Sequence, residues 1–403
     1  MKILYAGTGY KPAYRLGGPI VSISAAAEAL VRKGHEITVV ATTSNNDVEL
    51  DVPVGAPVDV EGVQVWYFNR TEPLQKILPF VSYFARSIGF MYTPAMRQAL
   101  DRLVPAVDVV HTQGPFLYPT YATAHAAFRH HRPLVYSQRG AFSVESLQFR
   151  SLKKTTYLNA IEKPIMRRAG TLIALTEAER ESYGRIGVDR PIAVVPNGTV
   201  IPPECPEAAS TVHARFGIGP EKPLVLFLGR LHPSKGADKL VEAFERVMID
   251  VPDAVLMIAG PDEWGLGREW RQRAGDNANS RILFPGMVDG HDKAAILARA
   301  NLFCLPSQSE GFSNAVLEAL ANATAVMLSP ACNFPEVEAA GAGVIVANDV
   351  ERMATTLRTL LLDPQRLQSM GAAGRRMVLE RYTWDAITDR LLDVYERVRA
   401  VRA

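Results

Sequence analysis

The chain has little cysteine. Cys205, Cys304 and Cys332 stand far apart in 403 residues, with no C-x-x-C pair and no Cys/His cluster at zinc spacing. A disulfide framework and a zinc module of ordinary spacing are excluded, and three isolated thiols of a reducing compartment are expected. Charge of one sign is not in excess either: 44 basic against 42 acidic residues leave a net charge of +2, so nothing calls for nucleic acid as a partner. Long apolar runs are missing. The nearest approach is residues 77–96, ILPFVSYFARSIGFMYTPAM, which Arg86 interrupts and Pro94 ends, so no transmembrane helix is predicted. The opening MKILYAGTGY is too short in apolar length for a signal peptide and reads as a strand entering a turn. Cytoplasmic residence is the default expectation. Several catalytic signatures are also absent: D-x-D, G-x-S-x-G, H-E-x-x-H and G-x-x-x-x-G-K-[ST]. A strict G-x-G-x-x-G is missing too, since TGYKPAYRLGG has the wrong spacing; this weakens a nicotinamide or flavin reading.

What is present is a repeated grammar. KILYAG is a nearly continuous apolar run, followed by a Gly/Pro loop, a small-residue helical stretch ending at Gly34, and the β-branched run EITVVAT. That order is a βαβ unit, and continuous apolar strands imply a parallel sheet covered on both faces. The same grammar returns at KPLVLFLGR, LHPSKG, an amphipathic stretch with Leu240, Val241, Phe244, Val247 and Met248 at helical spacing, and AVLMIAGP. VDVVHT and PLVYSQRG extend the first half; RILFPGMV, LFCLPS, TAVMLSP and GVIVAN extend the second. The fold class is therefore α/β with two doubly wound halves. The Pro/Asn/Gly-rich stretch 194–210 marks the boundary. Near the end, Ile387, Leu391, Val394, Tyr395 and Val398 form an apolar stripe that must pack against one of the halves.

Chemistry concentrates at loops expected to follow strands. In SEGFSNAVLEAL, Gly311 gives a free backbone, Ser313 is an N-cap, and a helix should start at Asn314. Such a helix start after a strand is an anion site. Glu310 and Glu318 flanking it would repel phosphate, so they suit hydroxyl groups on either side of one; read alone, the stretch is equally a capped helix with two surface glutamates. In FLGRLHPSKG, Arg230 and Lys235 place two cations at a strand end, which suits a diphosphate. Gly17 and Gly18 in RLGGP permit close approach of a ligand to the backbone. His111 ends VDVVHT and Arg139 follows a strand in SQRGAF; both are candidates for acceptor or phosphate contacts, although a lone histidine is more often structural. The basic segment 150–168 is a solvated helix face or a patch for an anionic acceptor or membrane surface.

Together these residues resemble the retaining nucleotide-sugar glycosyltransferases of the GT-B fold, family 4. The resemblance runs over essentially the whole chain and rests on RLGGP, VRKGHEITVV, VVPNGTV, GRLHPSKG and E-x7-E as EGFSNAVLE. It implies two Rossmann-like domains facing a cleft: 1–198 on the acceptor side, joined by a C-terminal helix 384–403 that crosses back, and 199–383 binding the donor. It also implies roles. Arg230 and Lys235 hold the donor diphosphate, Glu310 the sugar hydroxyls and Glu318 the ribose, with Gly311, Phe312, Ser313 and Asn314 presenting backbone N–H groups. Gly17 and Gly18 approach the diphosphate, and the segment around Met287 reads the base. Arg230, Lys235 and Glu310 form the expected catalytic set, with no dedicated metal or cofactor. The expected partners are a nucleotide-sugar donor and a saccharide or lipid-linked acceptor. Bacterial surface-polysaccharide or glycoconjugate synthesis is the expected setting, with peripheral association at the inner membrane face left open. A nucleotide-sugar epimerase and a non-catalytic binding protein of the same fold are the alternatives. Two residues depart from the family pattern. Arg139 stands where many relatives carry histidine, and Asn322–Ala323 replaces a Cys–Gly pair. The expectation at the second place is that Asn322 takes the left-handed conformation, because Ala323 would pay ~1 kcal/mol for it. The base, the sugar, the acceptor, the linkage and the oligomeric state are not legible.

Overall fold

The computed structural model describes residues 1–46, 48–70, 91–143, 147, 151–203, 205–262, 265–268, 270 and 281–401. It divides into two compact units, Met1–Asn197 with Trp384–Ala403, and Gly198–Thr383.

In the first unit the strands are β1 (Lys2–Ala6), β2 (Glu36–Thr42), a small ribbon β3 (Ser44–Asn45) and β4 (Val48–Glu49), then β5 (Pro57–Val60), β6 (Val63–Phe68), β7 (Val109–Gln113), β8 (Leu134–Ser137), β9 (Thr171–Ala174) and β10 (Ile192–Val194). Eight of them form one sheet in the order β10-β9-β8-β7-β1-β2-β6-β5. Every pair is parallel except the edge pair β5–β6, whose two-residue turn Glu61–Gly62 has φ of 56° and 81°. Positive φ at both positions suits a hairpin, and Pro57 is tolerated because β5 is an edge. The central strands are buried along most of their length, as in KILYA of β1 and LVYS of β8, which is why they read as nearly continuous apolar runs.

The second unit contains β11 (Leu224–Leu228), β12 (Val255–Ala259), β13 (Ile282–Gly286), β14 (Leu302–Leu305), β15 (Ala325–Leu328) and β16 (Gly343–Ile345). Its order is β13-β12-β11-β14-β15-β16, all parallel. In each sheet the first strand lies between its successor and a strand from later in the chain. β1 separates β2 from β7, and β11 separates β12 from β14. Those are topological switch points, where loops at the carboxyl ends part and leave a crevice.

The last helix, Trp384–Ala400, belongs to the first unit. Ile387, Leu391, Val394, Tyr395 and Val398 are buried in one apolar cluster with Ile3, Tyr5, Val39 and the Gly18–Arg32 helix, and Lys33 clamps the outside by pairing with Asp389. Of the apolar stretch 77–96, residues 77–90 lie outside the described residues; Pro94 opens a helix, Pro94–Leu103, in which Met96 is buried. No helix among the described residues is long and apolar enough to cross a membrane.

Candidate functional site

The site in the second unit is built from the loops after β11 and β14, which flank its switch point. After β11 the chain passes Arg230, makes a short 3-10 turn, Pro233–Lys235, and enters the helix Ala237–Val247. After β14 it runs through residues 306–313 into the helix Asn314–Ala321. The two loops are bonded together, Gln308 N donating to Ser234 O at 2.7 Å, and Asn348, past β16, holds the second loop by donating from Nδ2 to Pro306 O at 2.6 Å. Gly236 sits where they touch: with φ 67°, a Cβ there would lie 2.2 Å from Pro306 O, so a side chain would force the loops apart.

This contact brings Lys235 to Glu310. Lys235 Nζ donates to Glu310 Oε1 at 2.5 Å, and Ser307 Oγ donates to the same oxygen at 3.0 Å. Their side chains are 20 % and 12 % exposed, so the pair is shielded but reachable. Glu310 Oε2 has no partner among the described residues, nor has Lys235 beyond this bond. Asn333 Nδ2 fixes the Glu310 backbone from behind at 2.9 Å. The arrangement presents a carboxylate oxygen that can accept hydroxyl hydrogens and an ammonium with two further donors.

Ser313 occupies the N-cap position, as the spacing predicts, but its hydroxyl makes no cap bond. The first N–H groups of the helix are thus not satisfied by that side chain. Phe312 is buried by its ring contacts with Phe334 and Tyr382, at centroid distances of 4.9 and 6.0 Å. Its ring anchors the loop, which leaves its backbone as the part a ligand can meet. Glu318 lies one turn along and pairs with Lys293 at 2.8 Å. Arg230 is exposed, without an ion pair among the described residues. Met287, just past β13, is 70 % exposed, an unusual amount for its type and consistent with a contact surface.

At the end of that helix the expectation fails. Asn322 has φ −85°, and Ala323 takes the left-handed conformation with φ 59°. The Asn322 side chain instead bonds the Glu318 carbonyl at 2.8 Å, which holds Asn322 in the helical turn and passes the reversal to the next residue.

In the first unit, Gly17 precedes the Gly18–Arg32 helix with φ 88°, and no atom lies within 4 Å of where its Cβ would be. The backbone there is open to a ligand. His111 requires correction. It does not end its strand but sits in the middle of β7, 1 % exposed. Its Nδ1 meets Tyr395 Oη at 2.8 Å and its Nε2 meets Ser137 Oγ at 2.7 Å. Burial drives its pKa well below the usual value, with Arg139 adding to the effect. A neutral imidazole sealed under the C-terminal helix cannot touch an acceptor; it ties that helix to the sheet. Tyr395 also shares a 2.8 Å bond with Tyr5.

Arg139 is different. It follows β8 with φ 53°, and its guanidinium bonds Gln113 Oε1 and Asn197 Oδ1, each at 2.8 Å. Of the basic segment, residue 150 lies outside the described residues. The remainder forms helices Ser151–Tyr157 and Lys163–Arg168 around a turn whose Glu162 is buried, receiving bonds from Phe116 N and Tyr136 Oη, both 2.6 Å.

Sequence reasoning missed Lys293, Ser307, Asn333, Asn348, Gln113 and Asn197. Ser307 acts within its own loop, and the others are polar residues whose roles appear only when distant segments meet, although the P-N-G at Asn197 was visible as a turn.

Two family models match the chain: "Glycosyl transferase 4-like domain" over residues 17–198 and "Glycosyl transferases group 1" over residues 209–377. Among curated relatives, alpha-maltose-1-phosphate synthase of Mycolicibacterium smegmatis is 33 % identical over 258 residues, 60 % of this chain and 66 % of the relative. The GDP-mannose-dependent monoacylated alpha-(1-6)-phosphatidylinositol monomannoside mannosyltransferase of Corynebacterium glutamicum is 29 % identical over 202 residues, 48 % of this chain and 52 % of the relative. The matches thus span between half and two thirds of these relatives' lengths. Among solved structures, Anabaena HepE in complex with UDP and glucose superposes with a TM-score of 0.74 at 18 % identity, covering 98 % of this chain and 99 % of that one. Sucrose-phosphate synthase from Thermosynechococcus elongatus gives 0.71 at 20 %, covering 100 % of both. At such identities the structures speak for the fold. With the two family models running from residue 17 to 377 apart from 199–208, the chain belongs to the family 4 glycosyltransferases of the GT-B fold.

Proposed function

We propose that the protein is a retaining glycosyltransferase that moves a sugar from a nucleoside-diphosphate donor to a saccharide or lipid-linked acceptor. The observation that carries this reading is the Lys235–Glu310 pair at the β11/β14 switch point, with one carboxylate oxygen open beside the start of the Asn314–Ala321 helix. In this account Glu310 Oε2 receives hydroxyls of the donor sugar. Lys235, Arg230 and the helix N–H groups receive the diphosphate, Glu318 the ribose and Met287 the base. The first unit takes the acceptor.

The chemistry asked of the protein is electrostatic. As the donor C1–O bond breaks, negative charge grows on the leaving diphosphate, and fixed cations and backbone dipoles aimed at it are worth roughly 3 kcal/mol each, or about 10²–10³ in rate. The leaving phosphate then takes the acceptor proton on the same face, which retains the anomeric configuration. Bacterial surface-polysaccharide or glycoconjugate synthesis is the setting we infer, and the phosphatidylinositol monomannoside mannosyltransferase among the relatives supports a lipid-linked acceptor. An acceptor of that kind would bring the protein to the inner face of the membrane as a peripheral enzyme.

The test is incubation with UDP-, GDP-, ADP- and dTDP-sugars and a panel of acceptors, following nucleotide release and the anomeric proton by NMR. The reading expects one donor to be consumed and a glycoside with the donor's anomeric configuration. An epimerised nucleotide sugar, or no turnover with any donor despite nucleotide binding, would replace it with one of the two alternatives.

A further inference from the structure

The first unit holds a cation that makes no ion pair among the described residues. Arg139 lies at the carboxyl end of β8, beside the loop edge of the sheet, and burial pulls its guanidinium below its ordinary pKa. Its three bonds all go to neutral oxygens: Nε to Gln113 Oε1 at 2.8 Å, Nη1 to Asn197 Oδ1 at 2.8 Å and Nη1 to Ser22 Oγ at 3.4 Å. No carboxylate lies within ion-pair distance of it among the described residues. Glu179 acts on it from beyond ion-pair distance, with its own carboxylate accepting from Leu175 N at 2.8 Å.

The surroundings are built to hold the guanidinium in place. Gln138, one residue earlier, is anchored by bonds from its Nε2 to Glu179 O at 2.9 Å and Ser182 Oγ at 2.8 Å, and it receives Phe142 N at 3.1 Å. Arg139 itself takes φ 53°, a conformation that arginine adopts only when its surroundings impose it. Ser22 places the head group against the first turns of the Gly18–Arg32 helix, which contain no acidic residue. Of the five donors of a guanidinium, the two on Nη2 have no partner among the described residues, and Nη2 is not among the sealed, unpaired atoms. Arg139 is half-buried, so its charge is partly withdrawn from water while its remaining donors stay within reach of a ligand. A strained backbone, three neutral props and two unused donors together describe a receptor for an anion.

We infer that Arg139 binds an oxyanion of the sugar substrates, a carboxylate or phosphate distinct from the nucleotide's own diphosphate, and that it selects charged over neutral saccharides. The inference rests on the glycosyltransferase reading. The oxyanion can come from the transferred sugar or from the acceptor, and the guanidinium fork suits either.

The test is titration calorimetry on the full chain with wild type, Arg139→Gln and Arg139→Lys. The probes are UDP, UDP-glucose, UDP-glucuronate, and, with UDP bound, glucose, glucuronate and glucose 6-phosphate. The expected result is equal UDP affinity in all three proteins. A charged probe should bind wild type at least tenfold more tightly than its neutral counterpart. That preference should vanish in Arg139→Gln and persist in part in Arg139→Lys. Preference for UDP-glucuronate assigns the oxyanion to the transferred sugar, and preference among the free sugars assigns it to the acceptor. The inference is overturned if wild type does not separate charged from neutral probes, a result that needs no variant to fold. It is equally overturned if Arg139→Gln weakens UDP itself tenfold, which would hand the cation to the donor diphosphate. If wild type binds no nucleoside diphosphate, the donor reading fails, and the free-sugar probes without UDP still decide the role of Arg139.

Discussion

Replacing Glu318 with alanine separates a ligand contact from a structural one. Its carboxylate pairs with Lys293 at 2.8 Å, with the Glu318 and Lys293 side chains 25 % and 34 % exposed. A pair that open to water contributes ~0–1 kcal/mol to stability, and alanine is the better helix former at this position in Asn314–Ala321. The melting temperature should therefore fall by no more than about 2–4 °C. Binding is another matter. A carboxylate accepting two ribose hydroxyls makes charge-assisted bonds worth roughly 1.5–3 kcal/mol each. Some of that gain is offset by loosening Lys293, so a net loss of about 2–3 kcal/mol is expected, a 30- to 150-fold weaker Kd for the nucleoside diphosphate. Calorimetry of wild type and Glu318→Ala against the preferred nucleotide, with parallel thermal melts, measures both quantities. A Kd within threefold of wild type would refute the ribose assignment. So would a lost affinity accompanied by a collapse of the melting temperature, since the loss would then reflect unfolding.

Three further outcomes follow from the geometry. Ala323→Gly should raise stability by about 0.5–1 kcal/mol in chemical denaturation, because φ 59° costs alanine ~1–2 kcal/mol and glycine little, less the added freedom of the unfolded chain; no gain would mean that the reversal is already relaxed. Glu162 is buried, and burial pushes its pKa up to about 7 from 4.5. The folded state then holds a proton that the unfolded state has released, so this group's stabilisation is full below pH 4.5 and is lost as pH rises through 7. Glu162→Gln should flatten the decline in stability between pH 5 and 7.5 by about 1–3 kcal/mol, at ~1.4 kcal/mol per pKa unit; an unchanged slope contradicts the assignment. Finally, transfer should persist within about twofold in excess EDTA if Arg230, Lys235 and the helix start carry the leaving-group charge; abolition that Mg²⁺ restores would move that role to a metal.

The parallel sheets were legible because their central strands are buried on both faces, so LVLFL and VLMIA read as continuous apolar runs. The C-terminal stripe was legible for the same reason: its five residues at helical spacing all pack in the first unit's cluster, joined there by Trp384. The hairpin β5–β6 was not read, since an edge strand with Pro57 alternates weakly, although Glu61–Gly62 was a usable turn signal. The chemistry-bearing loops could be named because charges after apolar runs point to strand ends. Their partners could not. The pairing of Lys235 with Glu310 depends on β11 and β14 being neighbours, a matter of sheet order rather than sequence distance. His111 was misplaced for a related reason. A histidine in a strand looks like a strand end until the helix that covers it, carrying Tyr395, arrives from the far end of the chain.

The most direct measurement is steady-state sugar transfer by wild type, Lys235→Met and Glu310→Gln on the preferred donor, with folding verified by circular dichroism. The account predicts that each variant folds and that turnover falls by about 10²–10³, the range expected when one preorganised charge-stabilising group is removed. Turnover within threefold of wild type in either variant would contradict the claim that the Lys235–Glu310 pair is the centre of the reaction.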